Sequence, residues 1–194
     1  MPAVTLAVEG PSDVAVLRRL CETAGVDIAN VYVCGGKLPL DERLKGFNQA
    51  AQYSNWVVLR DLNADGPCAS QVMTDLLPDR ATRMFLRLAV RAVEAWLLAD
   101  RKGLASYLGI KVASIPSSPD LLRRPKRALV DVARHSKRRE LRRDLVPEAG
   151  LSTEVGPGYT ARITEFAQRY WSPTAGASNS GSLARCMAAL RRIR

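Results

Sequence analysis

Two short apolar runs in this chain end in carboxylates. Val4-Thr5-Leu6-Ala7-Val8 leads into Glu9-Gly10-Pro11-Ser12-Asp13, and Trp56-Val57-Val58-Leu59 leads into Arg60-Asp61-Leu62-Asn63-Ala64-Asp65. Hard ions such as Mg²⁺ or Mn²⁺ take oxygen ligands, commonly one or two carboxylates completed by water. Glu9, Asp61 and Asp65 therefore form a candidate ligand set, with Asn63 as a neutral oxygen donor between the two aspartates. Taken singly, either motif reads as a turn, since Asp-Leu-Asn-Ala-Asp-Gly is rich in turn residues. Taken jointly at two strand ends they favour a metal site, because ligands of open α/β sheets collect at the carboxyl ends of strands. An EF-hand does not fit: the twelfth position carries no acid, and a strand precedes the loop where a helix is needed.

Other residues are placed for related chemistry. Glu94 falls in the first turn of a helix after a fourth apolar run, at the end facing the ligand edge of the sheet. A carboxylate there serves either a site or the helix dipole. Arg91, a turn earlier, could pair with Glu94 or touch a phosphate. Lys37 follows Gly35-Gly36, and such a loop can offer backbone N–H groups and an ammonium to a phosphate, or be only a flexible turn. The Gly-x-x-x-x-Gly-Lys-Ser/Thr pattern is absent, which excludes a nucleotide P-loop. The only histidine is His135, so no pair or triad of histidines operates within one chain.

The elements that must position these residues alternate. Strands are predicted at 3–8, 28–33, 56–60 and 82–90, with helices at 12–24, 41–53, 68–77 and 91–99. This spacing implies an α/β fold with a mostly parallel sheet flanked by helices. In the first helix Val14, Leu17, Leu20 and Cys21 share a face. Trp96 and Leu97 read as core. After Asp100 the strand signals stop, and helical periodicity appears at 101–108, 126–143, 158–171 and 182–192. Pro116–Pro119 and Ser172–Gly181 read as loops. The expected organisation is an α/β core over 1–100 and a basic helical extension over 101–194 packed on it.

Charge separates the same two halves. Residues 1–100 hold 10 Lys/Arg against 12 Asp/Glu, whereas 101–194 hold 19 against 7, within a formal net charge of +10. The densest run, Arg123–Arg143, has ten basic residues against Asp131 and Glu140. On a continuous helix from Lys126, Arg127, Arg134, Lys137, Arg138, Arg142 and Arg143 point largely outward; with Arg139 they are candidate phosphate contacts. A solvated face or an acidic partner protein is the alternative. Few aromatics interrupt the run, which argues against stacking on single-stranded bases. No apolar run approaches the roughly 18 to 20 residues of a membrane span. The four cysteines are scattered with no Cys-x-x-Cys pair, which fits a reducing cytoplasm better than a zinc or disulfide framework.

Glu9-Gly10 with Asp13, followed by Asp61-Leu62-Asn63-Ala64-Asp65, resembles the TOPRIM fold of topoisomerases, primases and overcoming-lysogenization-defect nucleases. Further segments are similar to a compact bacterial TOPRIM-like family: Cys34–Lys37, Arg91–Asp100, Pro125–Leu129, Gly156–Thr160 and Ser178–Ser180. Glu94-Ala95-Trp96-Leu97-Leu98-Ala99-Asp100 is the most distinctive of them. The resemblance implies a TOPRIM/Rossmann-like sheet, with Glu9 as metal ligand or general acid/base and Asp61 and Asp65 as metal ligands. It also brings Asp13 into the metal shell and favours a site role for Glu94. The implied activity is a Mg²⁺- or Mn²⁺-dependent phosphodiesterase on DNA or RNA. Related nucleases act in phage defence beside an ABC-type ATPase, which here would be a separate protein because this chain has no ATPase motif. The chain departs from the family pattern at Asn63, where many relatives carry Asp. One charge fewer weakens metal binding and puts a two-metal mechanism in doubt. No catalytic tyrosine stands beside the acidic motifs, so a topoisomerase is not expected. The rival reading is a non-catalytic nucleic-acid- or partner-binding regulatory subunit. Phosphate transfer on a small molecule is disfavoured by the charge of the second half.

Overall fold

The computed structural model describes residues 2–66 and 68–193; Pro67, part of the expected break at Gly66-Pro67, lies outside them. Four strands, β1 (Ala3–Val8), β2 (Asp27–Val33), β3 (Asn55–Asp61) and β4 (Met84–Ala89), form one parallel sheet in the order β2-β1-β3-β4. The apolar runs of β1 and β3 are continuous because both faces are covered. Val4, Leu6, Val8, Val57 and Leu59 enter one core, and Ala7, Trp56 and Val58 enter the other. The fold is thus α/β with an all-parallel sheet flanked by helices.

The chain leaves β1 toward β2 through α1 (Pro11–Ala24), then returns through α2 (Lys37–Ala50) to β3 on the other side of β1. The connections after β1 and β3 therefore run in opposite directions. That reversal opens a crevice outside the carboxyl ends of the two strands, where open α/β sheets bind ligands. Glu9 follows β1 there, and Asp61 is the last residue of β3.

Beside the second core lie α2, through Leu40, Leu44 and Phe47, and the end of α3 (Ala69–Leu76), with Leu77 buried. The other face carries α1 and α4 (Val93–Ala99), together with most of the second half: α5 (Arg101–Leu108), α6 (Pro125–Ala133), α7 (Arg139–Leu145), α8 (Tyr159–Arg169), α9 (Pro173–Ala177) and α10 (Gly181–Leu190). Every residue of α4 is buried, as befits a helix enclosed on all sides. Its end is fastened by the second half: Asn179 Nδ2 donates to the Ala99 carbonyl, and Trp171 Nε1 to that of Trp96. The Trp96 indole donates in turn to Ser182 Oγ at 2.7 Å. The first of the two cores is thus built from residues of both halves.

Two expectations for the second half need correction. The helix expected over 126–143 is broken into α6 and α7. Ser136 is buried at the break, where its hydroxyl donates to the Leu108 carbonyl and accepts from the Arg138 N–H. These bonds turn the chain onto the end of α5. The loop expected over Ser172–Gly181 contains α9, whose start is set by Pro173 in its first turn and by Ser172 Oγ accepting from Ala175 N. Ser180 caps α10 through Leu183 N and also donates to Asp120. Ser180→Ala is expected to cost about 1 to 2 kcal/mol of stability, to be read from the urea midpoint.

Candidate acidic site at the sheet switch point

Glu9 ties three strand ends together. Its carbonyl accepts from Gly35 N and Gly36 N at 3.0 and 2.9 Å, and its Oε1 accepts from the Asp61 N–H at 2.8 Å. Both glycines have positive φ, which lets their N–H groups turn back toward β1. Those donors are therefore spent on Glu9, and the Gly-Gly-Lys turn is not an open cradle for phosphate.

The other carboxylates are held from separate elements. Asp61 Oδ1 accepts from Val93 N at 3.0 Å, fixing β3 to the start of α4. Asp13, in the first turn of α1, accepts from Gly10 N at 2.8 Å. Glu94 follows Val93 and is 3 % exposed. Its Oε1 accepts from the Tyr159 hydroxyl at 3.0 Å, with Lys126 Nζ 3.7 Å away. Its Oε2 is buried without a partner among the described residues, an arrangement that costs free energy unless something else binds there.

These four groups feel one another. Burial pushes the Asp13 carboxyl up to about 6, reinforced by the charges of Glu9 and Glu94. Burial, and then Glu94, Asp13 and Glu9, hold Asp61 well above the usual carboxylate range. Burial also raises Glu9, opposed by the Asp61 N–H and by Arg60. Burial, then the charge and hydrogen bond of Glu94, raise the Tyr159 phenol, so Tyr159 stays a donor.

The structure changes the ligand set read from the sequence. Asp65 does not join the cluster. It accepts from Lys37 Nζ at 2.8 Å and pairs with Arg60 Nη2 at 2.6 Å. Arg60, 3 % exposed, also makes a two-pronged pair with Asp41 at 2.7 and 2.8 Å. Burial alone would raise the Asp65 carboxyl, but Lys37 and Arg60 outweigh it and hold it low. Lys37 is likewise committed to Asp65. Asn63 sits at φ 50°, exposed, in a loop held by Arg91: Arg91 Nη1 donates to the Asn63 and Gly66 carbonyls. Arg91 therefore organises the acidic loop and does not pair with Glu94.

The partners that Glu94 does have, Lys126 and Tyr159, were missed as site residues. Nothing in local spacing links them to a glutamate 32 and 65 positions away. Of the basic run, Lys126 touches the acidic cluster. Arg127 and Arg134 line a hollow shared with Asp131, Glu148 and Glu154, and Arg134, Arg139, Arg142 and Arg143 line another beside Glu140. All of these, with Lys137 and Arg138, are exposed.

Among the described residues no three His, Cys, Asp or Glu side chains are close enough to form a ready-made metal site. The chemistry of the donor set still fits a hard divalent ion. Four carboxylates from four elements act on one another electrostatically at this end of the sheet, three have raised affinity for a proton, and one buried oxygen has no partner among the described residues. A cation relieves each of these penalties. Among the described residues no helix is long and apolar enough to cross a membrane. Comparison with protein-family models, curated proteins and solved structures found no match.

Proposed function

We propose that this protein is a divalent-metal-dependent phosphodiesterase of TOPRIM type acting on DNA or RNA, and the effector of an ATPase-coupled phage-defence system. The observation that carries the reading is the meeting of Glu9, Asp13, Asp61 and Glu94 at the switch point, with Glu94 Oε2 unpartnered. Asp13, Asp61 and Glu94 would hold Mg²⁺ or Mn²⁺, with Glu9 beside them as the proton carrier. When bound, the ion polarises a phosphate oxygen and lowers the pKa of water. Glu9 has Oε1 engaged by the Asp61 N–H, which leaves Oε2 to take and return a proton. Lys126 adds positive charge at the rim where a phosphate would enter.

The exposed arginines of α6 and α7 supply sequence-independent attraction to a polyanion. Reversing Arg138, Arg139, Arg142 and Arg143 to Glu is expected to weaken nucleic-acid binding and flatten its salt dependence; unchanged binding points to an acidic protein partner instead. The activity itself is tested on plasmid, single-stranded DNA and transfer RNA with Mn²⁺, with and without the product of any neighbouring ABC-type ATPase gene. Cleavage of one of them is expected, and no cleavage under any condition removes the enzyme reading.

One observation favours a second reading, a non-catalytic binding subunit. Asp65 is occupied by two cations, and no three ligand groups are preassembled. On that reading the protein binds nucleic acid or a partner through the same basic surface, with no cleavage and no divalent requirement.

A further inference from the structure

Beside the acidic cluster lies a depression of ≈ 550 Å³ lined by Asn63, Ala64, Gly66, Arg91 and Arg123. Two arginines and no carboxylate line it among the described residues. Arg91 uses Nη1 on the loop carbonyls, and its Nε and Nη2 make no hydrogen bond among the described residues. Arg123 is exposed and has no partner among the described residues. The contrast with Arg60 is informative: there two carboxylates meet the arginine, whereas here, among the described residues, two arginines share a hollow with Asn63, Ala64 and Gly66. The same loop that leaves Asp61 forms its wall, so an anion in the hollow would sit next to whatever occupies the acidic crevice.

We propose that this depression is a subsite for a phosphate flanking the one presented to Glu9, Asp13, Asp61 and Glu94. The ligand is then a polynucleotide chain with at least two consecutive phosphates, not a mononucleotide or a small phosphate ester. Arg91 is preorganised by the loop, and Arg123 closes over the phosphate from the segment before α6. The inference rests on the nucleic-acid reading above.

The test is metal-free binding of a short labelled single-stranded oligonucleotide, followed by fluorescence anisotropy, with a mononucleotide as competitor. Arg123→Glu is compared with Arg191→Glu, which makes the same charge change at an exposed residue after α10. Arg123→Glu is expected to lower affinity about tenfold more than Arg191→Glu, as loss of a charge-assisted hydrogen bond implies. The slope of log affinity against log salt is expected to shrink by about 0.7 for the one phosphate lost. Equal losses in the two variants, or full competition by the mononucleotide at equal concentration, overturn the subsite while leaving nucleic-acid binding intact. Absence of oligonucleotide binding by the wild type at low salt overturns the nucleic-acid reading itself, and the subsite with it.

Discussion

Glu9→Gln is expected to reduce phosphodiester cleavage by about 10² to 10⁴-fold while leaving folding and nucleic-acid binding nearly unchanged. The reason is local. The structural work of residue 9 is done by its carbonyl, which receives Gly35 and Gly36, and by one side-chain oxygen, which receives the Asp61 N–H. A glutamine retains both acceptors. It loses the charge and the capacity to carry a proton at Oε2. Cleavage is read by gel under Mn²⁺ and binding by anisotropy in its absence. Equal activity of wild type and variant would remove Glu9 from the chemistry, and a collapse of binding as well would make its role structural.

The second large effect is on stability. The raised carboxyls of Asp13, Asp61 and Glu9 mean that the folded protein binds more protons than the unfolded chain between their ordinary range near 4 and their folded values. The contribution of these three groups to the stability of the metal-free protein then falls as pH rises through that window, which for Asp13 runs from 3.8 to about 6 and for Asp61 extends well above its ordinary value. A divalent ion reverses the penalty by binding only the folded cluster. At a hundred times its dissociation constant it contributes about 2.7 kcal/mol, equivalent to roughly 5 to 11 °C in Tm for a chain of this size. Asp61→Asn keeps an acceptor for the Val93 N–H but removes the charge. It is expected to melt higher than wild type without metal at pH 7.5 and to gain less from Mg²⁺ or Mn²⁺. Differential scanning calorimetry across pH, with and without metal, measures both. A Tm gap between Asp61→Asn and wild type that does not widen as pH rises, or a wild-type Tm indifferent to divalent ions, would show that the cluster is no cation site.

The strands and the switch point were legible because their signal is local: a parallel strand covered on both faces carries a continuous apolar run, as residues 6–8 of β1 and 56–59 of β3 do. Glu9 and Asp61 were legible for the same reason, since each sits at or just beyond a strand end; Asp13 came in through the resemblance alone. Asp65 misled because Asp-x-Asn-x-Asp looks the same whether its last carboxylate meets a cation from solvent or a buried arginine. Arg60 decides the matter, and its commitment to Asp41 and Asp65 depends on α2 lying beside β3, which no spacing rule reveals. Lys126 and Tyr159 were illegible as neighbours of Glu94 because tertiary packing brings them there from distant segments. The break at Ser136 was hidden by a periodicity that runs through it, while α9 carried its own Ser-Pro start signal, read instead as a loop.

The enclosure of α4 bears on how such a protein can change over generations. Glu94 faces its crevice only while Tyr159, Trp171, Asn179 and Ser182 close around the helix that carries it. A recombination point near residue 100, exchanging the basic half for an unrelated one, would leave a wholly buried helix uncovered and its glutamate unplaced. The two halves must therefore be inherited together. Substitutions on the exposed arginines of α6 and α7 leave the buried residues of α4 untouched, which trading one module for another would not.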